Sequence, residues 1–250
     1  MSTDFEEIDY RPTPLGDLVL RRRRDPRIGN VEIYEVKLGD EFLMSSLFHA
    51  SEVALADLCL ASLATAGHCG PWDVVVGGLG LGHTADAALR DERVATMQVI
   101  ELFDGVIDWH RQALVPLGAR ICSDARCELV HADFFSLVAD AGVGLDKKLP
   151  ARRYDALLVD IDHSPDNPLD TQNLPFYEDT GLKAARAHLK PGGVFGLWSD
   201  AAPDAAFTAL FATVFDRARA EVIRFDNPYT NSTSAGTVYL GHAGDQREVV

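Results

Sequence analysis

The sequence predicts an α/β protein with a seven-stranded, mostly parallel, doubly wound sheet and a small N-terminal antiparallel β meander. From Trp72 onward, short apolar runs alternate with helical patterns, which is typical of parallel strands joined by crossover helices. The end of the chain differs, because only the polar loop 226–235 separates the last two strand patterns. A loop of that length cannot contain a helical crossover, so we expect the last strand to pair antiparallel with its neighbour.

The elements of the main sheet follow from these runs in chain order. The predicted strands cover 73–78, 96–101, 127–133, 154–162, 194–200, 220–225 and 236–241. The predicted helices cover 83–90, 103–114, 134–141, 176–189 and 205–215. Because nearly every strand is followed by a helix, we expect helices on both faces of the sheet.

The N-terminal segment has a different pattern. Residues 1–12 are predicted to form a loose tail. Alternating residues over 14–46, with a turn at Gly39, predict a meander of two or three strands. A helix with an apolar face is predicted over 49–66, with Ser51 as its N-cap.

The length of the chain suits this division. At 250 residues it can form one α/β domain with a small appendage. We therefore divide it into an N-terminal tail and β meander, residues 1–48, and a Rossmann-like catalytic domain, residues 49–250.

The net charge of the chain limits the kinds of molecule that it can bind. The formal net charge is −15, so most of the surface would repel nucleic-acid phosphates. The basic run 21–24 is interpreted as a solvated strand end, with a small nucleic-acid patch as the alternative. An acidic surface suits a cationic small molecule such as an amine, and it suits plain solubility equally well.

Other compositional features indicate the compartment. No apolar run reaches the roughly 20 residues that a bilayer-spanning helix needs, and the acidic N-terminus is unlike a secretory signal. The four cysteines form no CxxC pair, which favours reduced thiols over a zinc site. We expect a cytoplasmic protein that binds no nucleic acid, membrane or metal.

The stretch GGLGLG, residues 77–82, stands between the first main-sheet strand and a helix. Glycines there let the backbone approach a ligand closely, although a tight strand-to-helix turn also needs glycine. Glu101 ends the next strand, 19 residues after Gly82. An acid at that place binds a ribose diol in such sheets, whereas a solvated strand end is the alternative. The turn and the acid together favour a nucleoside ligand.

Further acids follow the third and fourth main-sheet strands. Asp133 ends the third strand, and Asp160 and Asp162 end the fourth. Because ligands of parallel sheets bind beyond the carboxyl ends of the strands, we expect these side chains to surround the same site. Asp133 also precedes a helical pattern and could cap it, and the two roles are compatible.

This pattern resembles the class I fold of methyltransferases that use S-adenosylmethionine (AdoMet). More closely, most of the chain resembles the spermidine synthase family. GGLGLG corresponds to the family's GGGDGG, ELFD from Glu101 to its E-I-D, and HADFF around Asp133 to its G-D-G-F. YDALLVDIDHSP from Tyr154 corresponds to Y-D-V-I-x-D-x-x-D-P.

The resemblance implies a cofactor and a reaction. The cofactor would be AdoMet or decarboxylated AdoMet, leaving S-adenosylhomocysteine or methylthioadenosine as product. The reaction would transfer an alkyl (aminopropyl) group to a small amine acceptor, and the protein would be a homodimer. The implied cofactor-binding residues are Gly77, Gly78, Gly80, Gly82, Glu101, Leu102, Asp133, Phe134 and Asp160.

The resemblance also implies the catalytic residues. Asp160 would face the sulfonium and orient and deprotonate the amine. Asp162 and His163 are further catalytic candidates, because they follow closely and an imidazole titrates near neutral pH. An exposed loop histidine is the alternative for His163.

The acceptor site is expected among the loops 45–55, 161–176 and 226–235. Its candidate residues are Glu52, Tyr177 and Trp198, with a packing role as the alternative for Trp198.

Two departures from the family pattern leave the reaction open. Gly80 replaces the acid that holds the amino group of decarboxylated AdoMet in aminopropyltransferases, and Leu55 replaces a tyrosine of the acceptor site. A glycine leaves room for the carboxylate of intact AdoMet. The alternatives are therefore an AdoMet-dependent methyltransferase acting on a small molecule, or a non-catalytic nucleoside-binding protein of this fold.

Overall fold

The computed structural model describes residues 5–140 and 142–244, and it contains two sheets. The N-terminal sheet is antiparallel in the order β1-β2-β3-β4. Its strands are β1 (Phe5–Thr13), β2 (Gly16–Asp25), β3 (Val31–Leu38) and β4 (Glu41–Ser45). The predicted meander is confirmed with one strand more than expected.

The tail predicted over 1–12 is wrong from Phe5 onward, and residues 1–4 lie outside the described residues. β1 is mostly exposed, so it lacks the apolar alternation from which strands are recognised. Its antiparallel pairing with β2 holds it, and side-chain contacts distant in sequence add to this pairing. Trp109 Nε1 donates to Asp9 Oδ2 at 2.6 Å, and Arg11 pairs with Asp108 at 2.8 Å.

The basic run in β2 is paired with acids of the same sheet. Arg21 and Arg23 both donate to the buried carboxylate of Glu35, at 2.7 and 2.8 Å. Arg22 pairs with Glu6 on β1. This arrangement favours the interpretation as a strand end within a sheet over a nucleic-acid patch.

The main sheet has seven strands in the order β10-β11-β9-β8-β5-β6-β7. The strands are β5 (Trp72–Gly77), β6 (Val94–Glu101), β7 (Cys127–His131), β8 (Tyr154–Val159), β9 (Leu189–Ser199), β10 (Asp216–Asn227) and β11 (Ser232–His242). β5 to β9 are parallel, and β11 pairs antiparallel with β9 and β10. The predicted fold class and the antiparallel finish are confirmed.

Seven α-helices occur in the described residues. They are α1 (Ala50–Thr65), α2 (His83–Leu89), α3 (Asp104–Arg111), α4 (Gly118–Ser123), α5 (Phe134–Ala139), α6 (Asp179–Ala187) and α7 (Ala205–Val214). The short helix α4 was not predicted. The helix predicted over 134–141 ends at Ala139, and position 141 lies outside the described residues. The helix predicted to start at 176 begins at Asp179, after a 3-10 helix over Thr171–Tyr177.

The predicted N-cap of α1 is wrong. The helix begins one position after His49, with no side-chain cap. Ser51 lies inside its first turn, where its hydroxyl oxygen accepts a hydrogen bond from Trp198 Nε1 at 2.8 Å. The serine therefore connects α1 to the end of β9.

One hydrophobic core continues from the N-terminal sheet into the main sheet. It joins buried residues of both sheets and of α1, among them Leu18, Val36, Leu55, Val74 and Leu158. The boundary predicted at residue 48 thus divides chain segments that share a core. Among the described residues, none of the helices combines the length and apolar character needed to span a bilayer.

Candidate functional site

The glycine turn is fixed by close backbone packing at the end of β5. Gly78 has φ of +89°, and a Cβ built there would lie 2.0 Å from the carbonyl oxygen of Asp160. Asp160 N in turn donates to the carbonyl oxygen of Gly77 at 2.8 Å. Gly78 is therefore required because the turn and the end of β8 meet backbone to backbone.

Two other glycines of the turn serve packing. A Cβ at Gly77 would lie 2.8 Å from the ring of Phe134, and one at Gly82 would lie 2.5 Å from Ile121 Cδ1. Gly80 is different, because the atoms nearest a Cβ there belong to the flexible end of Met44, with Sδ at 2.7 Å. Its φ of +49° also favours glycine.

Glu101, at the end of β6, holds the turn in place. One carboxylate oxygen accepts from Leu79 N at 2.9 Å, and the other accepts from Phe103 N at 2.8 Å. Burial raises the pKa of this carboxyl above its usual range, although the backbone donors oppose that shift. The turn and the acid, identified separately in the sequence, form one hydrogen-bonded unit.

A cavity of about 140 Å³ opens above this unit, and we name it the turn cavity. The predicted cofactor-binding residues that line it are Gly78, Gly80, Glu101, Leu102, Asp133, Phe134 and Asp160. The N-terminal sheet and its first turn supply an apolar wall of Leu15, Val36, Leu38, Leu43 and Met44. The meander is thus part of the site and not only an appendage.

Asp133 has the helix-capping role foreseen for it. Its side chain accepts from Phe135 N at 2.9 Å and from Ser136 N at 3.2 Å, at the start of α5. Ser136 Oγ donates to its second oxygen at 2.6 Å. The residue is exposed and also lines the turn cavity, so capping leaves it accessible to a ligand.

Asp160 lies in a group with Thr84 and Glu52. Thr84 Oγ1 lies 2.5 Å from Asp160 Oδ2 and 3.2 Å from the carbonyl oxygen of Glu52. Burial raises the pKa of Asp160 to about 6. Burial and the nearby charge of Asp160 raise the pKa of Glu52. A buried carboxyl that titrates near neutral pH is suited to accept a proton.

Asp162 and Tyr177 contact each other and do not line the turn cavity. Tyr177 OH donates to Asp162 Oδ2 at 2.7 Å, and Leu169 N donates to Oδ1 at 2.8 Å. Both side chains are buried, with exposed fractions of 2% for Asp162 and 6% for Tyr177. This geometry favours a structural role, in which the pair ties the long loop after β8 to the sheet.

A second cavity, of about 320 Å³, is named the side cavity. It is lined by Leu43, which also lines the turn cavity, and by His163 and Trp198. The three loops predicted to form the acceptor site all contribute to it, through residues such as Ser51, His163 and Asn227. Glu52 is beside Asp160, next to Ser51 of this wall.

Several residues of the site were not identified from the sequence, among them Thr84 and Met44. Thr84 is ordinary in a helix, and nothing in its neighbours indicates that it contacts a carboxylate 76 positions away. Met44 belongs to a short strand, for which the sequence predicted only a place in the meander. Both depend on how distant segments pack together. In the described residues, His, Cys, Asp and Glu form no group suited to hold a metal ion.

Comparisons with solved structures establish the fold. Spermidine synthase from Thermotoga maritima superimposes with a TM-score of 0.69 at 18% identity, covering 96% of this chain and 74% of that one. A spermidine synthase in complex with the transition-state analogue AdoDATO gives 0.71 at 17%, with the same coverage. Human methyltransferase-like protein 13, in complex with SAH, gives 0.50 at 17%, covering 80% and 81% of the two chains.

The strand order and these superpositions show that the chain has the class I AdoMet-methyltransferase fold. Within that class, it is a spermidine synthase-like protein in fold, as the motifs indicated. A scan against models of protein families finds no match.

Sequence comparison gives shorter matches. Putrescine N-methyltransferase 3 of Nicotiana tabacum is 32% identical over 124 residues, which are 50% of this chain and 29% of that protein. Putrescine N-methyltransferase 2 of Nicotiana attenuata is 31% identical over 124 residues, 30% of its length. The matched stretch thus spans less than a third of each of these relatives.

Proposed function

We propose that the chain is an AdoMet-dependent N-methyltransferase that acts on a small amine. The observation that carries this proposal is the surroundings of Gly80. No carboxylate projects from this position, and the thioether end of Met44 occupies the adjoining space. The site therefore lacks, at this position, the acid that would attract the amino group of decarboxylated AdoMet, and it presents no repulsion there to the carboxylate of AdoMet.

The residues of the turn cavity fit the nucleoside part of such a cofactor. Glu101 is a hydrogen-bond acceptor at the end of β6, where a ribose diol binds in this class of sheet. Leu102 and Ile161 supply apolar surface for a base, and Asp133 offers an acceptor for its amino group. The sequence matches to putrescine N-methyltransferases support the same choice of reaction.

When bound, AdoMet supplies an activated methyl group on a sulfonium. The amine would have to be neutral to attack it: its nitrogen lone pair would form the new N–C bond as the S–C bond breaks, with S-adenosylhomocysteine as the leaving group. Asp160 would orient the amine and accept its proton, and its position in the wall of the turn cavity supports this role. Glu52 and Thr84 surround this carboxylate.

Aminopropyl transfer is the second candidate, and the similarity of the whole fold to spermidine synthases favours it. The two reactions differ in their products. We would incubate the purified chain with AdoMet or decarboxylated AdoMet and a panel of amines, and identify the nucleoside product by mass spectrometry. S-adenosylhomocysteine supports methyl transfer, whereas methylthioadenosine formed only from decarboxylated AdoMet overturns it in favour of the second candidate.

Asp160→Asn separates catalysis from binding in the same assay. We expect turnover to fall by about 10²–10⁴-fold, the usual contribution of a general base. Calorimetric titration with AdoMet should still show binding, because the amide keeps the shape of the side chain. Wild-type protein that binds AdoMet but methylates no amine would instead indicate a non-catalytic nucleoside-binding protein.

A further inference from the structure

Aromatic side chains form part of the wall of the side cavity, next to small and polar residues such as Ser45, Asn227 and Ser234. Phe48, Trp198 and Phe225 line it, and the ring centroids of Phe48 and Phe225 are 6.0 Å apart. Trp198 Nε1 donates to Ser51 Oγ at 2.8 Å, so the polar atom of the indole is already paired and its ring orientation is fixed. A surface of this kind favours a flat apolar group over a hydrated chain.

The charges of the cavity are few and lie near the solvent. Among the described residues that line the side cavity, Asp200 is the one with a carboxylate side chain, and this residue is exposed. It follows β9 next to His163, whose carbonyl oxygen accepts from Asp200 N at 2.8 Å. Exposed ion pairs contribute little to binding, so a distal ammonium group would be held weakly here. Burial of an aromatic ring against the wall contributes more.

The position of the cavity sets the orientation of a ligand. Leu43 lines both cavities, and His163 is three positions after Asp160. An amine that extends from Asp160 past Leu43 would place the rest of the molecule in the side cavity.

Resting on the proposed function, we infer that the acceptor is a primary monoamine whose body is an aromatic ring. Its nitrogen lies on the Leu43 side, toward Asp160, and its ring packs among Phe48, Trp198 and Phe225. A diamine of similar length would exchange the contacts of this ring for one exposed carboxylate. The chain would then differ in acceptor from the putrescine N-methyltransferases that it resembles over half its length.

The first test compares three amines with the wild-type chain and AdoMet. Phenylethylamine carries the ring, propylamine is a monoamine without it, and putrescine is a diamine without it. We expect kcat/KM for phenylethylamine to exceed both others by about tenfold or more. A value for putrescine that equals or exceeds that for phenylethylamine would overturn the inference.

Trp198→Ala tests the aromatic wall itself. It should lower kcat/KM for phenylethylamine about tenfold more than for propylamine, and Trp198→Phe should recover most of the loss. Tyr10→Ala is the matched control, because it removes an exposed aromatic ring that lines neither cavity. Equal losses with the two amines in Trp198→Ala would show that no ring binds there.

A binding measurement separates this inference from the proposed reaction. If no amine is methylated, the proposed function fails, and calorimetric titration with phenylethylamine and propylamine replaces the kinetic comparison. Tighter binding of phenylethylamine, lost in Trp198→Ala, would still support an aromatic amine site. Equal affinities for the two amines would overturn it.

Discussion

The hydroxyl of Thr84 donates a 2.5 Å hydrogen bond to Oδ2 of Asp160, joining the first turn of α2 to the end of β8. This bond lowers the pKa of Asp160 and partly offsets the increase due to burial. We predict that Thr84→Val raises that pKa. The acidic limb of the pH profile of kcat/KM should therefore move upward from about 6, the pKa of Asp160.

The conservative variant Thr84→Ser provides the control for this prediction. It keeps the hydroxyl, so its pH profile should match that of the wild type. A Thr84→Val profile that superimposes on the wild type, at whatever absolute rate, would show that the hydroxyl does not influence the titrating group.

Asp160 is also predicted to reduce stability. Its folded pKa of about 6 lies above the ordinary value of 3.8. Because the folded pKa is the higher one, the fold favours the protonated form. The stabilising contribution of the protonated carboxyl is complete below pH 3.8, and it is lost as the pH rises through about 6.

Asp160→Asn, which stays neutral, should therefore increase the free energy of unfolding at pH 8. We expect a gain of about 1–2 kcal/mol, allowing for the incomplete burial of the side chain. The corresponding rise in Tm is about 2–8 °C, and it should shrink toward zero near pH 4. A thermal melt at both pH values measures it, and an equal Tm difference at the two would contradict the assignment.

Gly80 is predicted to set the choice between the two cofactors. Gly80→Asp would place a carboxylate in the turn cavity, where it would repel the carboxylate of AdoMet. We expect the affinity for AdoMet to fall by about tenfold or more relative to that for decarboxylated AdoMet, as measured by calorimetry. Gly80→Asn is the matched control for size and for the positive φ. If both variants show the same loss of affinity for the two cofactors, the cause is steric contact with Met44 and not charge.

The Asp162–Tyr177 pair gives a prediction about stability alone. Tyr177→Phe removes the 2.7 Å hydrogen bond and leaves a buried carboxylate oxygen with weaker partners. The free energy of unfolding should fall by about 1–3 kcal/mol, measured by denaturant titration. The pH profile of kcat/KM should keep its wild-type shape, since the pair lies outside the turn cavity. A shifted profile would contradict the structural role and support a catalytic role for Asp162.

The main sheet could be predicted because its signals are local. β5, β6 and β8 are runs of mostly buried residues, and each is followed by a helical pattern or a polar turn. β1 escaped prediction because it is mostly exposed and lacks apolar alternation, and its side chains contact Trp109 and Asp108, about 100 positions away. No window of sequence contains such contacts.

The candidate site divides in the same way. Its backbone requirement at Gly78 and its acids at strand ends follow from the period and topology of the sheet. Which acids face the cavity does not follow in this way, because Asp160 and Asp162 are two positions apart and only packing decides that Asp160 lines the cavity while Asp162 pairs with Tyr177. The homodimer, the cytoplasmic location and the individual roles of the site residues stay predictions.

Leu43 borders both cavities, so the two ligands would share a wall. A substitution of Leu43 could change how strongly binding of one ligand affects the affinity for the other. Because the coupling free energy between two sites is reciprocal, this effect would be equal in both directions. Cofactor and acceptor would then be linked through a strand of the N-terminal sheet, outside the parallel core. Substitutions in that strand could change the preference for an acceptor without disturbing the glycine turn.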